Sequence, residues 1–165
     1  MLYILVSLIL SAAAAATCPA PALPGEWLIS DYQGQVFNLV DTNTANLRVT
    51  PIQGWGDPTV TASKWLFIPT SDTNMFEIVN VGTASFLSYS TLFIGSEAIR
   101  SQVVGNQVAT QWSFNTSGGQ IIEHSSGLAA TSWPVGASSS NVNPFSLEQS
   151  VASNSRQLFK ITQTS

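Results

Sequence analysis

Two tryptophans, Trp55 in Gln53-Gly54-Trp55-Gly56-Asp57-Pro58 and Trp133 in Thr131-Ser132-Trp133-Pro134-Val135-Gly136, lie in segments with the composition of loops. An aromatic ring held in such a loop can stack on the apolar face of a sugar ring, and planar amides or carboxylates beside it can fork onto vicinal hydroxyls. The same rings could instead cover the rim of a hydrophobic core, and the residues leave both uses open. Catalysis is poorly provided for. His124 is the one histidine, so a Ser-His-Asp arrangement would have to use it, and no nucleophile or acid stands at a spacing that marks a partner. There is no His/Cys cluster at zinc spacing, no Asp-rich calcium loop and no glycine-rich phosphate loop opening a helix. No pair of carboxylates stands out for glycosidase chemistry. The chain therefore reads as a non-enzyme with no catalytic residues, no metal site and no cofactor.

The elements that must position these residues repeat. Trp65-Leu66-Phe67, Trp112-Ser113-Phe114 and Phe159-Lys160-Ile161 begin at positions 65, 112 and 159, each 47 residues from the next. A fixed period of this size marks a repeated supersecondary unit that cannot bury its apolar face alone. Trp27-x-Ile29, Val36-x-Asn38-x-Val40, Leu47-x-Val49, Phe76-x-Ile78 and Phe86-x-Ser88 alternate with period two, and no stretch sustains a helical period. The chain is all-β. Two hairpins follow the first two anchors, Phe67 to Phe76 and Phe114 to Ile121. The third anchor has only Thr162 to Ser165 behind it, and its partner is Trp27-Leu28-Ile29, so the two ends are expected to pair and close a ring.

Residues 1–17 read as a secretory signal peptide: an apolar run from Leu2 to Leu10, then Ala12 to Ala16 and cleavage near Ala14 to Thr17. The run is too short for a spanning helix, which needs roughly 20 apolar residues. Residues 18–25, with Pro19, Pro21 and Pro24, read as a semi-rigid linker, and residues 26–165 as one domain. Cys18 is the single cysteine, so no intrachain disulfide can form. The expected location is extracellular. Asn115-Thr116-Ser117 is a glycosylation sequon in the second hairpin turn. With five Lys and Arg against nine Asp and Glu, the chain cannot lay a cationic stripe along a nucleic acid or an anionic bilayer. Its polar surface is Ser, Thr, Asn and Gln.

Three repeats of about 47 residues with a Trp-x-Phe strand resemble the β-trefoil, and specifically the ricin-B-like lectins. That family ends its repeat in Gln-x-Trp; here the matching segments are Ser63-Lys64-Trp65, Thr110-Gln111-Trp112 and Gln157-Leu158-Phe159. Gly119-Gln120-Ile121-Ile122 and Ser125-Ser126-Gly127-Leu128 in the third repeat add to the likeness, which covers roughly Gly25 to Ile161. The resemblance implies pseudo-threefold symmetry, glycan or glycoprotein partners and a sugar-binding acid after the first strand of each repeat. Asn38, Ser88 and Ala129 are expected at those positions, so the first repeat keeps the best site, with Asn38, Trp55 and Asp57, and Trp133 stands as a separate candidate. The third repeat is expected to be built for packing, with Ala129 and Ala130 facing the interior. The same scaffold also serves protease inhibitors, through a loop such as Gly54 to Ser63 or Trp133 to Asn143, and that reading makes a protease the partner. A third reading is a structural protein without a small ligand.

Overall fold

The computed structural model describes residues 23–39, 50–55, 57–90, 99–114, 119–134 and 143–164. Residues 1–22, Cys18 among them, and Asn115 with its sequon lie outside this set, as does the expected strand Leu47-x-Val49. Twelve strands form among the described residues, four in each repeat. The first repeat holds β1 (Leu23–Ser30), β2 (Val36–Leu39), β3 (Thr50–Trp55) and β4 (Trp65–Pro69). The second holds β5 (Met75–Asn80), β6 (Phe86–Ser90), β7 (Gln102–Asn106) and β8 (Gln111–Phe114). The third holds β9 (Ile121–Glu123), β10 (Ala129–Ser132), β11 (Asn143–Glu148) and β12 (Lys160–Gln163).

Antiparallel pairs β1–β4, β4–β5, β5–β8 and β8–β9 run around a barrel. Phe159 N–H donates to Gly119 O at 3.1 Å, and β12 then pairs β1 with Ile29 opposite Ile161 and Trp27 opposite Gln163. The ring closes through the two ends of the domain, as the truncated third anchor predicts. The expected linker is shorter than residues 18–25 at its far end, because β1 already begins at Leu23, whose Cα partner is Phe67. Gly25 sits in the register shift between Leu23 and Trp27 with φ +91°, and a Cβ there would meet Gln163 Nε2 at 2.8 Å.

Hairpins β2–β3, β6–β7 and β10–β11 cap the barrel and pair with one another through β3–β7, β7–β11 and β11–β3. This arrangement is the β-trefoil. Strand alternation explains what faces inward: Trp65, Phe67, Trp112, Phe114 and Phe159 are buried while Leu66, Ser113 and Lys160 between them are less so. A buried indole needs a partner for its N–H. Trp65 Nε1 donates to Phe37 O at 3.0 Å and Trp112 Nε1 to Leu87 O at 2.9 Å, so each tryptophan ties its barrel strand to its cap hairpin. Phe159 has no such donor. It meets Phe37 edge-on, with ring centroids 5.1 Å apart, and tilts on Phe145 at 6.2 Å. Two positions along from the anchors, Phe67 and Phe114 join equivalent strands of different repeats at 6.0 Å.

Size is balanced across each cap hairpin. Phe37 faces Gly54, Leu87 faces Gly105, and Ala130 faces Leu147. A Cβ at Gly105 would lie 2.5 Å from Leu39 Cδ1, so that glycine makes room for a core side chain. Ala129 and Ala130 are fully buried, as expected.

Candidate functional site

The hairpin registers fix which residues are equivalent. Ser30 pairs Val36, Val79 pairs Phe86 and Ile122 pairs Ala129, so two residues further on Asn38, Ser88 and Thr131 correspond. The expected third-repeat position, Ala129, is two residues early; the equivalent is Thr131. All three are polar, and all three make the same contact. Asn38 Nδ2 donates to Ser63 Oγ at 2.8 Å, Ser88 Oγ and Thr110 Oγ1 share a hydrogen bond of 2.7 Å, and Gln157 Nε2 donates to Thr131 Oγ1 at 3.0 Å. Ser63, Thr110 and Gln157 stand 47 residues apart, two before each anchor. One polar pin per repeat thus holds the cap hairpin to the segment that enters the anchor strand.

In the first repeat the pin continues. Ser63 Oγ donates to Asp57 O at 2.9 Å, so the 57–63 loop folds against Asn38 through its main chain. The Asp57 carboxylate turns elsewhere: Oδ1 accepts from Thr59 Oγ1 at 2.6 Å and from Thr59 N at 2.9 Å. The hydroxyl bond first and the amide bond second hold its carboxyl below the ordinary range. Asp57 therefore stays an exposed anion beside, and not upon, Asn38. Trp55 is the last residue of β3, opposite Val36, and not part of a loop; its side chain lies outside the described part.

Trp133 belongs to a different cluster, in the repeat expected to serve packing. Its backbone N–H donates to Pro144 O at 3.0 Å, extending the β10–β11 ladder by one residue. Its Nε1 donates to Ser146 Oγ at 2.8 Å, and that hydroxyl donates to Glu148 Oε1 at 2.6 Å. The Arg156 guanidinium carbon lies 5.1 Å from the ring centroid, a cation–π contact. The ring is still 37% exposed. An aromatic surface fixed at its edge, with a hydroxyl, a carboxylate and a guanidinium around it, can stack on a pyranose while accepting from and donating to its hydroxyls. Ser146, Glu148 and Arg156 escape a reading of the sequence because strand pairing, not proximity in the chain, assembles them. One signal was available: at positions 62, 109 and 156, 47 residues apart, the repeats hold Ala, Ala and Arg.

The turn after the first strand of each repeat is organised by one acceptor. Asp31 Oδ1 accepts from Gln33 N and Gln35 N at 2.9 Å, and Asn80 Oδ1 accepts from Gly82 N at 3.0 Å. Glu123, at 3% exposure, takes Ser125 N and Oγ on Oε1 and Ser126 N and Oγ on Oε2, over 2.6–3.1 Å. Burial works to raise its carboxyl, but the hydrogen bonds from Ser126 and Ser125 outweigh it and hold the pKa below the ordinary 4.5. A depressed native value means the stabilisation is complete above about pH 4.5 and is lost as pH falls through the native value. Glu123→Gln is expected to lower the melting temperature at pH 7 and to flatten the fall on acidification, read from melts between about pH 7 and pH 3.

Of the loops that could enter a protease cleft, residues 135–142 lie outside the described set. The other, after Gly54, closes into a short 3-10 turn at Thr61–Ser63 with Ala62 and Ser63 buried.

The sequence matches no family model and no curated protein sequence. The structure is similar to the Rhizoctonia solani agglutinin, with a TM-score of 0.68 and 17% identity over 87% of this chain and 99% of that one. It is similar to a designed threefold-symmetric protein, ThreeFoil, with a TM-score of 0.68 and 12% identity over 86% of this chain and 100% of that one. It is also similar to the Macrolepiota procera ricin B-like lectin in complex with lactose, with a TM-score of 0.64 and 13% identity over 87% of this chain and 100% of that one. These likenesses agree with the strand order: the chain has the β-trefoil fold.

Proposed function

We propose that the chain is a secreted, non-catalytic glycan-binding module whose working site is the third-repeat cluster around Trp133. The observation that carries this reading is a tryptophan tethered by Ser146 and Arg156 yet 37% exposed, with Glu148 one hydrogen bond away. A ring that only covered the core rim would not need its N–H fixed by a polar network outside the core. The lactose-bound Macrolepiota procera lectin of the same fold supports a neutral sugar as the class of ligand. In the first repeat, Asn38 and Asp57, with Trp55 at the end of β3, form a second candidate of lower polarity, since the Asn38 amide already serves the pin.

The test is a glycan array on the secreted protein followed by titration of the best ligand. Trp133→Ala is expected to weaken binding about tenfold, the equivalent of about 1.4 kcal/mol, consistent with losing one aromatic stack. Its thermal melt should stay close to wild type because the ring is outside the core. No binding to any glycan, or unchanged affinity in Trp133→Ala, overturns the site. Tight inhibition of a serine or cysteine protease without glycan binding would replace the reading by the inhibitor one. Cleavage after the alanine run and occupancy of Asn115 are read from the mass of the protein secreted by a eukaryotic host.

A further inference from the structure

The three junctions between repeats are not alike. Between the first and second repeats, Asn80 Nδ2 donates to Ala62 O at 2.8 Å and to Lys64 O at 3.3 Å, and Val81 N–H donates to Lys64 O at 2.9 Å. Gly82 lies flat against the same segment; a Cβ there would come within 3.0 Å of Thr61 Oγ1 and 3.2 Å of Ala62 N. Between the third and first repeats, Ser132 Oγ donates to Asp31 Oδ2 at 2.7 Å in a buried contact. Both junctions are shut by a side-chain hydrogen bond.

At the second-to-third junction the closing residue is changed. His124 N–H donates to Gln111 O at 2.9 Å, the counterpart of the Val81 bond. Glu123 stands where the first junction has Asn80, and Ser125 where it has Gly82. An ionised carboxylate only accepts hydrogen bonds, so it closes a junction only where the neighbouring repeat supplies a donor, as Ser132 does to Asp31; here Tyr89 stands in the place of Ser132. Glu123 draws hydrogen bonds from four donors, the amides and hydroxyls of Ser125 and Ser126, and it has no proton with which to bridge to the 109–111 segment as Asn80 bridges to Ala62 and Lys64. The serine adds a side chain where the glycine allowed close approach. The junction opens into a cleft of about 310 Å³ lined by Tyr89, the 109–111 segment, His124, and Glu123 and Ser125 of the turn.

We propose that this cleft is a second sugar subsite, formed between repeats and selective for a neutral hexopyranoside. Its volume is at the lower end of small-molecule sites. Half-buried Tyr89 offers a ring face, while the Gln111 amide and the His124 imidazole offer donors and acceptors. No Lys or Arg is among its lining residues, and the Glu123 carboxylate beneath repels a sugar acid. The Trp133 cluster, with Arg156 and Glu148, is built differently, so one chain would present two unlike sites and could bridge two glycans. The ligand class rests on the glycan reading given above; the site itself rests on the exchange of Asn80 for Glu123.

The test is an NMR titration of the full secreted chain with methyl β-galactopyranoside and methyl β-glucopyranoside. His124 is the one histidine, so its imidazole Cε1–H resonance reports the cleft, and the Trp133 indole N–H reports the other cluster. The expected result is a saturable shift at His124, weakened at least tenfold in Tyr89→Ala while the Trp133 response is kept. Glu123→Asn restores the closing donor and should abolish the His124 shift in a folded protein. Response at Trp133 alone overturns the cleft and leaves the lectin reading standing. A linear, non-saturating His124 shift, or no shift at either reporter, also overturns the cleft, and the glycan array decides the lectin reading separately. A full His124 response in Glu123→Asn overturns the account of how the junction opens.

Discussion

Phe159→Ala is expected to destabilise the domain by about 3–5 kcal/mol, the usual cost of deleting a buried ring and leaving its cavity. Phe159 is 2% exposed and packs on Phe37 and Phe145, one in the first repeat and one in the third. Its N–H to Gly119 O is also the bond that closes the barrel between β8–β9 and β12. The loss therefore falls where, among the described residues, Phe159 is joined to Gly119 by an isolated bridge. In a domain of this size it amounts to a drop of roughly 10 °C or more in melting temperature. Urea unfolding should show a lower midpoint at an unchanged slope. A wild-type melt would mean that Phe159 is not the third member of the Trp65 and Trp112 set.

Gln157→Leu is expected to cost about 3 kcal/mol although it keeps the side-chain volume, because it strands several buried polar groups at once. The amide is 1% exposed and makes four hydrogen bonds. Nε2 donates to Thr131 Oγ1 at 3.0 Å and Gln149 O at 2.8 Å, and Oε1 accepts from Gln120 Nε2 at 2.7 Å and Val151 N at 2.8 Å. The equivalent Ser63 and Thr110 carry single hydroxyls, so Thr110→Ala should cost nearer 1 kcal/mol. Melts give the ranking, and hydrogen exchange at the Val151 amide should accelerate in Gln157→Leu. Equal melts for the two variants would show that the third pin is no stronger than the others.

The anchors were legible because the barrel tolerates little but a large ring at those three points, and each lies at the same count from the last. The pins share that spacing but not their chemistry, since a serine, a threonine and a glutamine fill one role. Positions near the first hairpin of each repeat do not keep the spacing. Asp31, Asn80 and Glu123 are 49 and then 43 residues apart, because the connections between strands differ in length. The Gly-x-apolar pattern that points to Ala129 therefore stops two residues short of Thr131, which only the strand register identifies. Gly54 misled for another reason. It reads as a turn residue, yet in β3 it leaves room opposite Phe37, so the tryptophan after it ends a strand.

The pairing of β1 with β12 sets how the domain responds to a pull. Trp27 faces Gln163 and Ser30 faces Lys160, while Gln163 Nε2 donates to Pro24 O and Thr164 N–H to Glu26 O. Leu23 and Thr164 thus leave the ladder at the same end. Force applied through them opens the seam one rung at a time, like a zipper, where strands loaded from opposite ends would share the force across all their rungs in shear. The domain should yield at low tension from this edge, with Phe159 and its bridge to Gly119 as the first obstacle behind the seam. Attachment through an internal loop and one terminus would load the barrel in shear and raise the rupture force.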